Sequence, residues 1–366
     1  MHAERVKRFR QSLTDLGLDA GLICSDTNMF YLSGYSGISL ERLIALITFS
    51  HEERTYLITP KLEKGRAEEN CKLESAEIIS YDDSEDPTKL LASLIEKNRA
   101  TKIGVEETIQ YKYVNALSKH APGILFKPIT EVLYSMRVVK SQAEIDMLKR
   151  AAEINIQVLV EAIHSVKRGV SERRLMRQIE DKAFDLGAED VPFALVQSGR
   201  NSALPHQEPT DKVIEDGDMV VLDIGVRYGG YYSDLTRTVV CGAPSPLQTH
   251  IHNVVLEAQK KALNSIKIGV RAELIDAAAR GVIAGAGFGE YFIHRTGHGL
   301  GLEVHEPPYI RAGNAEAVRE GMVFTVEPGI YLPEKFGARI EDNIVVTQEG
   351  YMNLALLPKS LNIEDY

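Results

Sequence analysis

An internal repeat in the second part of the chain limits the possible folds more than any other feature of the sequence. The segment Ser-Val-Lys-Arg-Gly-Val at 165–170 recurs as Ser-Ile-Lys-Ile-Gly-Val at 265–270. Each copy ends a long helical pattern and precedes a second helix. It then leads to a histidine, in His-Gln-Glu-Pro at 206–209 and in His-Glu-Pro-Pro at 305–308. The repeat predicts two similar halves that pack as a pseudo-two-fold pair around one cleft. Chance similarity between amphipathic helices is the alternative, and the matching order of helices, histidines and acids disfavours it.

The length and the local patterns predict two domains. A chain of 366 residues exceeds the usual size of one compact domain, and we place the domains at 1–132 and 133–366. Short apolar strands alternate with helical patterns in the first, which predicts an α/β domain, and residues 129–139 are predicted to form the hinge. Ser141 followed by Glu144 is a capping-box signature for a long helix that opens the second domain.

The composition excludes several classes of protein. The net charge is -10 without a long run of one sign, which argues against a nucleic-acid partner. No stretch of eighteen apolar residues is present, so we expect no membrane association. The three cysteines lie far apart and form no CxxC pair, and the charged N-terminal segment does not resemble a signal peptide. These features predict a cytoplasmic protein without a disulfide framework.

A predicted β-hairpin brings two carboxylates together. The apolar run Met219–Leu222 leads to Asp223, and a Gly-Gly turn at 229–230 leads back to Asp234. Residues on the two strands of a hairpin meet across the ladder, so one turn can carry both carboxylates to one point. Two carboxylates in a dry site are costly unless a cation neutralises them. The hairpin therefore predicts a metal site.

A second predicted hairpin repeats this arrangement and adds a histidine. Its incoming strand ends at Glu327 and its outgoing strand carries Arg339 and Glu341. Between the hairpins, glycines flank His298 and allow the backbone to approach a site closely. Any one of these residues alone would be typical of a turn, a surface loop or a structural histidine. Together, two Asp, two Glu and one His form a mostly oxygen ligand set that suits two divalent ions.

The motifs that carry these residues resemble those of the pita-bread metallopeptidases, in particular the Xaa-Pro dipeptidases (prolidases) and Xaa-Pro aminopeptidases. The matching motifs are Asp223-x-Gly225, Ser233-Asp234-x-Thr236-Arg237-Thr238, His298-Gly299-x-Gly301, Glu327-Pro328-Gly329 and Arg339-x-Glu341-Asp342. The resemblance implies an α/β N-terminal domain followed by an α+β pita-bread (creatinase/aminopeptidase-like) catalytic domain with an internal pseudo-two-fold repeat. Creatinases share both domains but lack the metal ligands, which are all present here.

The resemblance also implies roles for the site residues. Asp223 should chelate one metal, Asp234 and Glu341 should bridge both, and His298 and Glu327 should complete the second. Two divalent ions would lower the pKa of a water between them, and that water becomes the nucleophile. Mn²⁺ is the expected metal, while Co²⁺, Zn²⁺ and Fe²⁺ also accept such ligands.

Four residues are candidates for catalytic roles around these ligands. Glu327 can accept the proton of the water and pass it to the leaving nitrogen. His206 and His305 occupy matching positions in the repeat and are assigned to carbonyl and oxyanion contacts. Arg339 lies two residues before Glu341, on the same strand face, and should brace a ligand carboxylate or contact substrate.

The expected reaction is hydrolysis of the bond between an N-terminal residue and proline in short proline-containing peptides, by a homodimer. A dipeptidase is favoured, and an aminopeptidase acting on longer peptides is the alternative. In some similar dipeptidases, an arginine just after the His-Glu pair holds the substrate carboxylate, whereas here Tyr309 lies near that place. Arg311 is then the candidate clamp and Arg339 its competitor. A binding protein on a retired peptidase fold and a non-peptidase enzyme on the same scaffold are the remaining readings.

Overall fold

A computed structural model describes residues 1–37 and 40–366 and divides the chain into two compact units, Met1–Arg137 and Val138–Tyr366. The domain boundary expected between 132 and 133 falls inside a helix, and the units divide after that helix. The division lies within the predicted hinge at 129–139, although residues Thr130–Arg137 of that segment form a helix. Leu133 and Met136 are buried at helical spacing there, a pattern that the sequence already contained.

The first unit is an α/β domain built on one six-stranded sheet with the order β4-β3-β2-β1-β5-β6. Strands β1, β2 and β3 pair antiparallel, and the pairs β3–β4, β1–β5 and β5–β6 are parallel. The strands are β1 Ala20–Ile23, β2 Ala45–Phe49, β3 Thr55–Pro60, β4 Ala76–Tyr81, β5 Lys102–Val105 and β6 Leu125–Pro128. The helices are α1 His2–Asp15, α2 Asp26–Ser33, α3 Lys64–Asn70, α4 Pro87–Lys97, α5 Tyr111–His120 and α6 Thr130–Arg137.

The second unit contains two copies of a helix–helix–sheet arrangement. The first copy consists of α7 Gln142–Ser165, α8 Glu172–Asp185, β7 Asp190–Ser198, β8 Met219–Tyr228 and β9 Tyr231–Val240. The helices of the second copy are α9 Pro246–Ser265 and α10 Ala272–Gly285. Its strands are β10 Gly297–Gly299, β11 Glu306–Ile310, β12 Val323–Val326, β13 Gly329–Leu332, β14 Phe336–Arg339, β15 Asp342–Thr347 and β16 Gly350–Asn353.

The two copies agree in backbone detail. Gly169 and Gly269 end the repeated segments with positive φ angles of 91° and 84°, a conformation that favours glycine. Their N–H groups donate to Ile214 O at 3.0 Å and to Val318 O at 2.8 Å, respectively. Each copy also encloses its own cluster of buried apolar side chains. The repeat seen in the sequence is thus a repeat of structure.

Local signals in the sequence fix where the first copy begins and turns. The capping box that starts α7 is formed, because the Glu144 carboxylate accepts from the Ser141 backbone N–H at 2.8 Å. Strands β8 and β9 pair along their whole length around the turn at Gly229 and Gly230, whose φ angles are 58° and 81°. Two successive positive φ values are the signature of a tight hairpin turn. The first predicted hairpin is confirmed.

The second predicted hairpin is present but interrupted. Strand β12 pairs with β15, and β13 pairs with β14, so both sides of the hairpin break at one level. The interruptions fall at Glu327-Pro328 on one side and at Ile340-Glu341 on the other. Both predicted acids of this hairpin therefore lie in the breaks, where their side chains are released from strict strand alternation.

Among the helices of the described residues, none combines the length and the apolar character that crossing a bilayer requires.

The three cysteines are all unpaired; Cys241 is buried and Cys24 and Cys71 are half-buried.

A buried histidine in α9 should couple the stability of the second unit to pH. Burial lowers the pKa of His252 from 6.5 to about 4, and its Nε2 has no hydrogen-bond partner among the described residues. The unfolded chain therefore binds a proton between these pH values that the folded chain excludes. The stability that the neutral ring contributes is fully present above pH 6.5 and is lost as the pH falls toward 4.

We expect the free energy of unfolding to fall by up to ~1.4 kcal/mol per pH unit in this window because of His252. Urea unfolding of metal-free protein from pH 7 to about 4.5 should show a shallower fall for His252→Gln than for wild type. His250→Gln, on the exposed face of the same helix, is the matched control. Parallel curves for wild type and His252→Gln would contradict the assignment.

Candidate metal centre

The ladder of the first hairpin holds Asp223 and Asp234 side by side. Asp223 lies opposite Thr236, and Asp234 lies opposite Gly225, so the two acids are diagonal neighbours on one face. Both are buried, with 8% and 4% of their surface exposed. The Asn343 side chain fixes the backbone of Asp234, accepting from its N–H at 3.1 Å and donating to its carbonyl.

His298 enters the site on the short strand β10. Its backbone N–H donates to Thr325 Oγ1 at 3.1 Å, and its Nε2 lies 3.2 Å from Glu327 Oε1. A side chain at Gly297 would collide with the Thr325 carbonyl. The glycines around His298 are thus required for the close approach of two backbones, as the sequence predicted.

The structure brings all five predicted ligands together in overlapping groups. Ligand atoms of Asp223, Asp234 and Glu341 lie within 4.8 Å of one another, as do those of His298, Glu327 and Glu341. Glu341 belongs to both groups. His305 joins Asp234 and His298 in a third group at the same limit, a proximity that the sequence did not predict.

One oxygen of each of three carboxylates is left without a hydrogen bond. The protein holds the other oxygen in two of them: Arg339 Nη2 donates to Asp223 Oδ2 at 2.5 Å, and Thr236 Oγ1 donates to Glu341 Oε2 at 2.6 Å. Asp223 Oδ1, Asp234 Oδ1 and Glu341 Oε1 are buried and have no hydrogen-bond partner among the described residues. Buried, unpaired carboxylate oxygens are costly, and their convergence fits divalent cations.

The crowding of charge appears in the pKa values. Burial, and then the charges of neighbouring acids, raise the pKa of Asp234 and of Glu341 well above their ordinary values. Burial also acts to raise the pKa of Glu327, but the hydrogen bond and charge of His298 outweigh it and lower that pKa to about 2. Glu327 is therefore ionised at neutral pH, whereas Asp234 and Glu341 resist ionisation unless a cation is present.

These acids line a cavity of about 630 Å³. His206 and His305, the matching histidines of the two copies, both line it. The His305 ring centre lies 4.1 Å from that of His298. The sequence had assigned both histidines to the cleft, and the geometry brings both to it.

Arg339 is tied into the site by three contacts. Besides Asp223, it donates to Tyr331 Oη at 2.8 Å and to Thr236 Oγ1 at 3.2 Å, and only 3% of its surface is exposed. Of the two roles left open by the sequence, bracing a carboxylate and contacting substrate, the geometry supports the brace.

Among the polar residues that line the cavity, sequence reasoning missed His294 and Arg295. His294 Nε2 lies 2.9 Å from Tyr331 Oη, and Tyr331 in turn contacts Arg339. The spacing of His294 four residues before His298 was the available signal. Arg311, the clamp expected from the sequence, is exposed and is not one of the described residues that line the cavity.

A carboxylate-rich centre with a histidine that lines a cavity is typical of metal-dependent enzymes. Residues 146–348 match metallopeptidase family M24, and residues 5–139 match the creatinase/prolidase N-terminal domain. The chain belongs to metallopeptidase family M24 and is a peptidase.

Relatives and solved structures agree with this membership. A Xaa-Pro dipeptidase of Pyrococcus horikoshii is 38% identical over 359 residues, which are 98% of each chain. The recombinant prolidase of Thermococcus sibiricus superposes with a TM-score of 0.94 at 38% identity, covering 99% of both chains. The X-Pro aminopeptidase of Thermotoga maritima gives 0.85 at 35% identity, covering 96% of this chain and 99% of that one. The predicted fold class, an α/β domain followed by a pita-bread domain, is confirmed.

The three unpaired oxygens predict that metal binding stabilises the fold. Adding Mn²⁺ to metal-free protein should raise its melting temperature. At a free Mn²⁺ concentration one hundred times the Kd of a site, binding to that site adds about 2.7 kcal/mol to the free energy of unfolding. Asp234→Asn should lose most of this increase, because its carboxylate belongs to two of the groups, yet should not destabilise the metal-free protein, since it removes crowded charge.

Asp216→Asn is the control, because it neutralises a carboxylate that is 67% exposed at the surface. Calorimetry with and without metal measures both effects. A full Mn²⁺ response in Asp234→Asn would remove Asp234 from the centre.

Proposed function

We propose that this protein is a Xaa-Pro dipeptidase that uses two divalent metal ions. The convergence of unpaired carboxylate oxygens beside His298 carries the proposal for the metals. The proline specificity is supported by the relatives, which are named Xaa-Pro dipeptidase and prolidase and match almost the whole chain.

In this proposal, Asp223, Asp234 and Glu341 would hold one ion, and Asp234, His298, Glu327 and Glu341 would hold the other. Four carboxylates balance the charge of two divalent cations. When bound, the ions lower the pKa of a water and polarise the scissile carbonyl, which makes a nucleophile available at neutral pH.

The side chains around the ligands move the proton and orient the substrate. Glu327, ionised at neutral pH, accepts the proton of the attacking water and returns it to the leaving nitrogen. His206 and His305 reach the cavity from the two copies of the repeat and hydrogen-bond the substrate carbonyl as its oxygen gains charge. Arg339 keeps the Asp223 carboxylate in place.

An amide to proline suits a centre of this kind. The bond before proline carries no N–H, so a peptidase that depends on this donor handles it poorly. Here the described groups around the cavity act on the carbonyl side and on the leaving nitrogen.

We further propose Mn²⁺ as the metal, since the ligand set is mostly oxygen. A homodimer in the cytoplasm is proposed on the family resemblance, and three unpaired cysteines fit a reducing compartment. Metal analysis of protein purified without added metal, and sedimentation velocity, test the first two points.

The second candidate is a Xaa-Pro aminopeptidase that accepts longer peptides. The similarity to the X-Pro aminopeptidase of Thermotoga maritima, at a TM-score of 0.85, favours it. The two candidate enzymes differ in the group that follows the proline. A dipeptidase requires a free carboxylate there, whereas an aminopeptidase accepts further residues.

A small peptide panel separates these functions. We expect Mn²⁺-loaded protein to cleave Ala-Pro and Met-Pro faster than Ala-Pro-Ala, and to leave Ala-Ala largely intact. Release of proline or of the N-terminal residue, followed by chromatography, measures each rate. Preference for Ala-Pro-Ala would establish the aminopeptidase reading, and cleavage of none of these peptides by metal-loaded protein would refute both.

His305 tests the division between ligands and substrate contacts. We expect His305→Ala to retain the metals and to lose roughly a hundredfold or more in kcat, as removal of one oxyanion donor does. Metal content by mass spectrometry and turnover of Ala-Pro are the measurements, with the exposed His164→Ala as control. Loss of one metal per chain in His305→Ala would make His305 a ligand instead, in line with its closeness to Asp234 and His298.

A further inference from the structure

A dipeptide substrate carries a charged group that the residues assigned so far do not recognise. In Xaa-Pro, the free carboxylate is attached to the proline Cα and so lies just beyond the scissile bond. With two divalent ions bound, the four ligand carboxylates are roughly neutralised, and none of the side chains assigned so far is a cation free to bind this group. A dipeptidase therefore needs a cation on the wall of the cavity, and a planar guanidinium is the group best matched to a carboxylate.

Two arginines line the cavity, Arg295 and Arg339. All three guanidinium nitrogens of Arg339 already donate hydrogen bonds, to Asp223, Tyr331 and Thr236, and the residue is almost fully buried. A substrate carboxylate could bind it only by breaking one of these contacts. Arg339 is thus excluded as the clamp.

The Arg295 guanidinium, unlike that of Arg339, has no side-chain hydrogen bond or ion pair among the described residues. No carboxylate of the described residues forms an ion pair with its guanidinium, and no side-chain hydrogen bond from it occurs among them. Its one side-chain contact of note is with Tyr309, whose ring centre lies 4.6 Å from the guanidinium carbon. A guanidinium over an aromatic face keeps its N–H edges free for a ligand.

The backbone on both sides of Arg295 is anchored. The His294 carbonyl accepts from Arg280 Nη2 at 2.8 Å, and the Thr296 N–H donates to Asp276 Oδ1 at 3.2 Å. The backbone on either side of Arg295 is therefore fixed by α10, and its guanidinium lies over the Tyr309 ring. Such a group loses little freedom when it binds a ligand.

Arg295 lies close to the reacting centre, because it lines the same cavity as His305 and His298. The His305 ring meets the ring of His298, a proposed metal ligand, edge-on at 4.1 Å.

Resting on the proposed function, we propose that Arg295, held against Tyr309, binds the free carboxylate of an Xaa-Pro dipeptide and selects dipeptides over longer peptides. A longer peptide has a neutral amide at this point, and its chain must continue past the guanidinium. Arg295 then has no carboxylate with which to form a bidentate ion pair.

The test compares Ala-Pro with Ala-Pro-amide, which has the same shape but lacks the negative charge. We expect Arg295→Ala to raise KM for Ala-Pro and to lower kcat/KM by about ten- to a hundredfold. The same variant should change kcat/KM for Ala-Pro-amide by less than about threefold. Arg295→Lys, which keeps the charge but not the fork, should fall between wild type and Arg295→Ala on Ala-Pro.

Arg311→Ala is the matched control, because it removes an exposed arginine from outside the cavity and should match wild type on both peptides. Tyr309→Ala should lower kcat/KM for Ala-Pro severalfold and add nothing to Arg295→Ala in the double variant, because both act through one guanidinium. Calorimetric binding of free proline and of prolinamide gives a readout without turnover: Arg295→Ala should weaken proline only.

Melting temperature and metal content establish that each variant is folded and loaded. Equal losses on Ala-Pro and Ala-Pro-amide would overturn the proposal and make Arg295 a support for His305. Unchanged kinetics in Arg295→Ala would overturn it as well. These results leave the Xaa-Pro dipeptidase function standing, whereas failure of wild-type protein to cleave Ala-Pro refutes that function itself.

Discussion

The second unit is organised around the cost of holding ionised carboxylates away from water. Asp223, Asp234 and Glu341 are buried, and each presents one oxygen with no hydrogen bond among the described residues. No arrangement of apolar side chains offsets such a cost, and only a cation or protonation removes it. The raised pKa values of Asp234 and Glu341 express this constraint directly. A continuous β-ladder and a buried arginine, Arg339, keep the acids converged in spite of their repulsion.

A regular hairpin and an interrupted hairpin supply the acids, and this difference determines the directions of the acidic side chains. The first hairpin is regular, so the ladder alone puts Asp223 and Asp234 on one face. The second is broken on both sides, and Glu327 and Glu341 lie in the breaks. A break frees a side chain from the alternation of a strand, which lets Glu341 reach acids of the other hairpin while Thr236 holds its second oxygen. The repeat therefore provides two similar hairpins. The site depends on the difference between them, because only the second hairpin is interrupted where its acids lie.

Local sequence signals predicted what local structure determines. The Gly-Gly turn, the capping box at Ser141 and the repeated segments each act over a few residues, and each appears in the structure. Helix α6, which lies within the expected hinge at 129–139, also has buried apolar residues at a helical spacing that the sequence contained. The position of Arg295 could not be found this way, because it depends on partners elsewhere in the chain. Asp276 accepts a hydrogen bond from the backbone of Thr296, and the Tyr309 ring faces the Arg295 guanidinium. Arg311, closer in sequence to the expected place, lies outside the cavity.

The distribution of charge across the cavity gives one reason why both the direction and the length of a peptide would be selected together. An Xaa-Pro dipeptide is a zwitterion whose amine and carboxylate lie on opposite sides of the scissile bond. In the proposed site, two bound divalent ions leave the four carboxylates close to neutral, so Arg295 is the group that would attract the substrate carboxylate. A peptide bound in reverse would place its amine beside Arg295, and two positive charges in a low-dielectric site repel each other. A longer peptide binds in the correct direction but loses the attraction to Arg295. One guanidinium would therefore select both the direction and the length of the peptide.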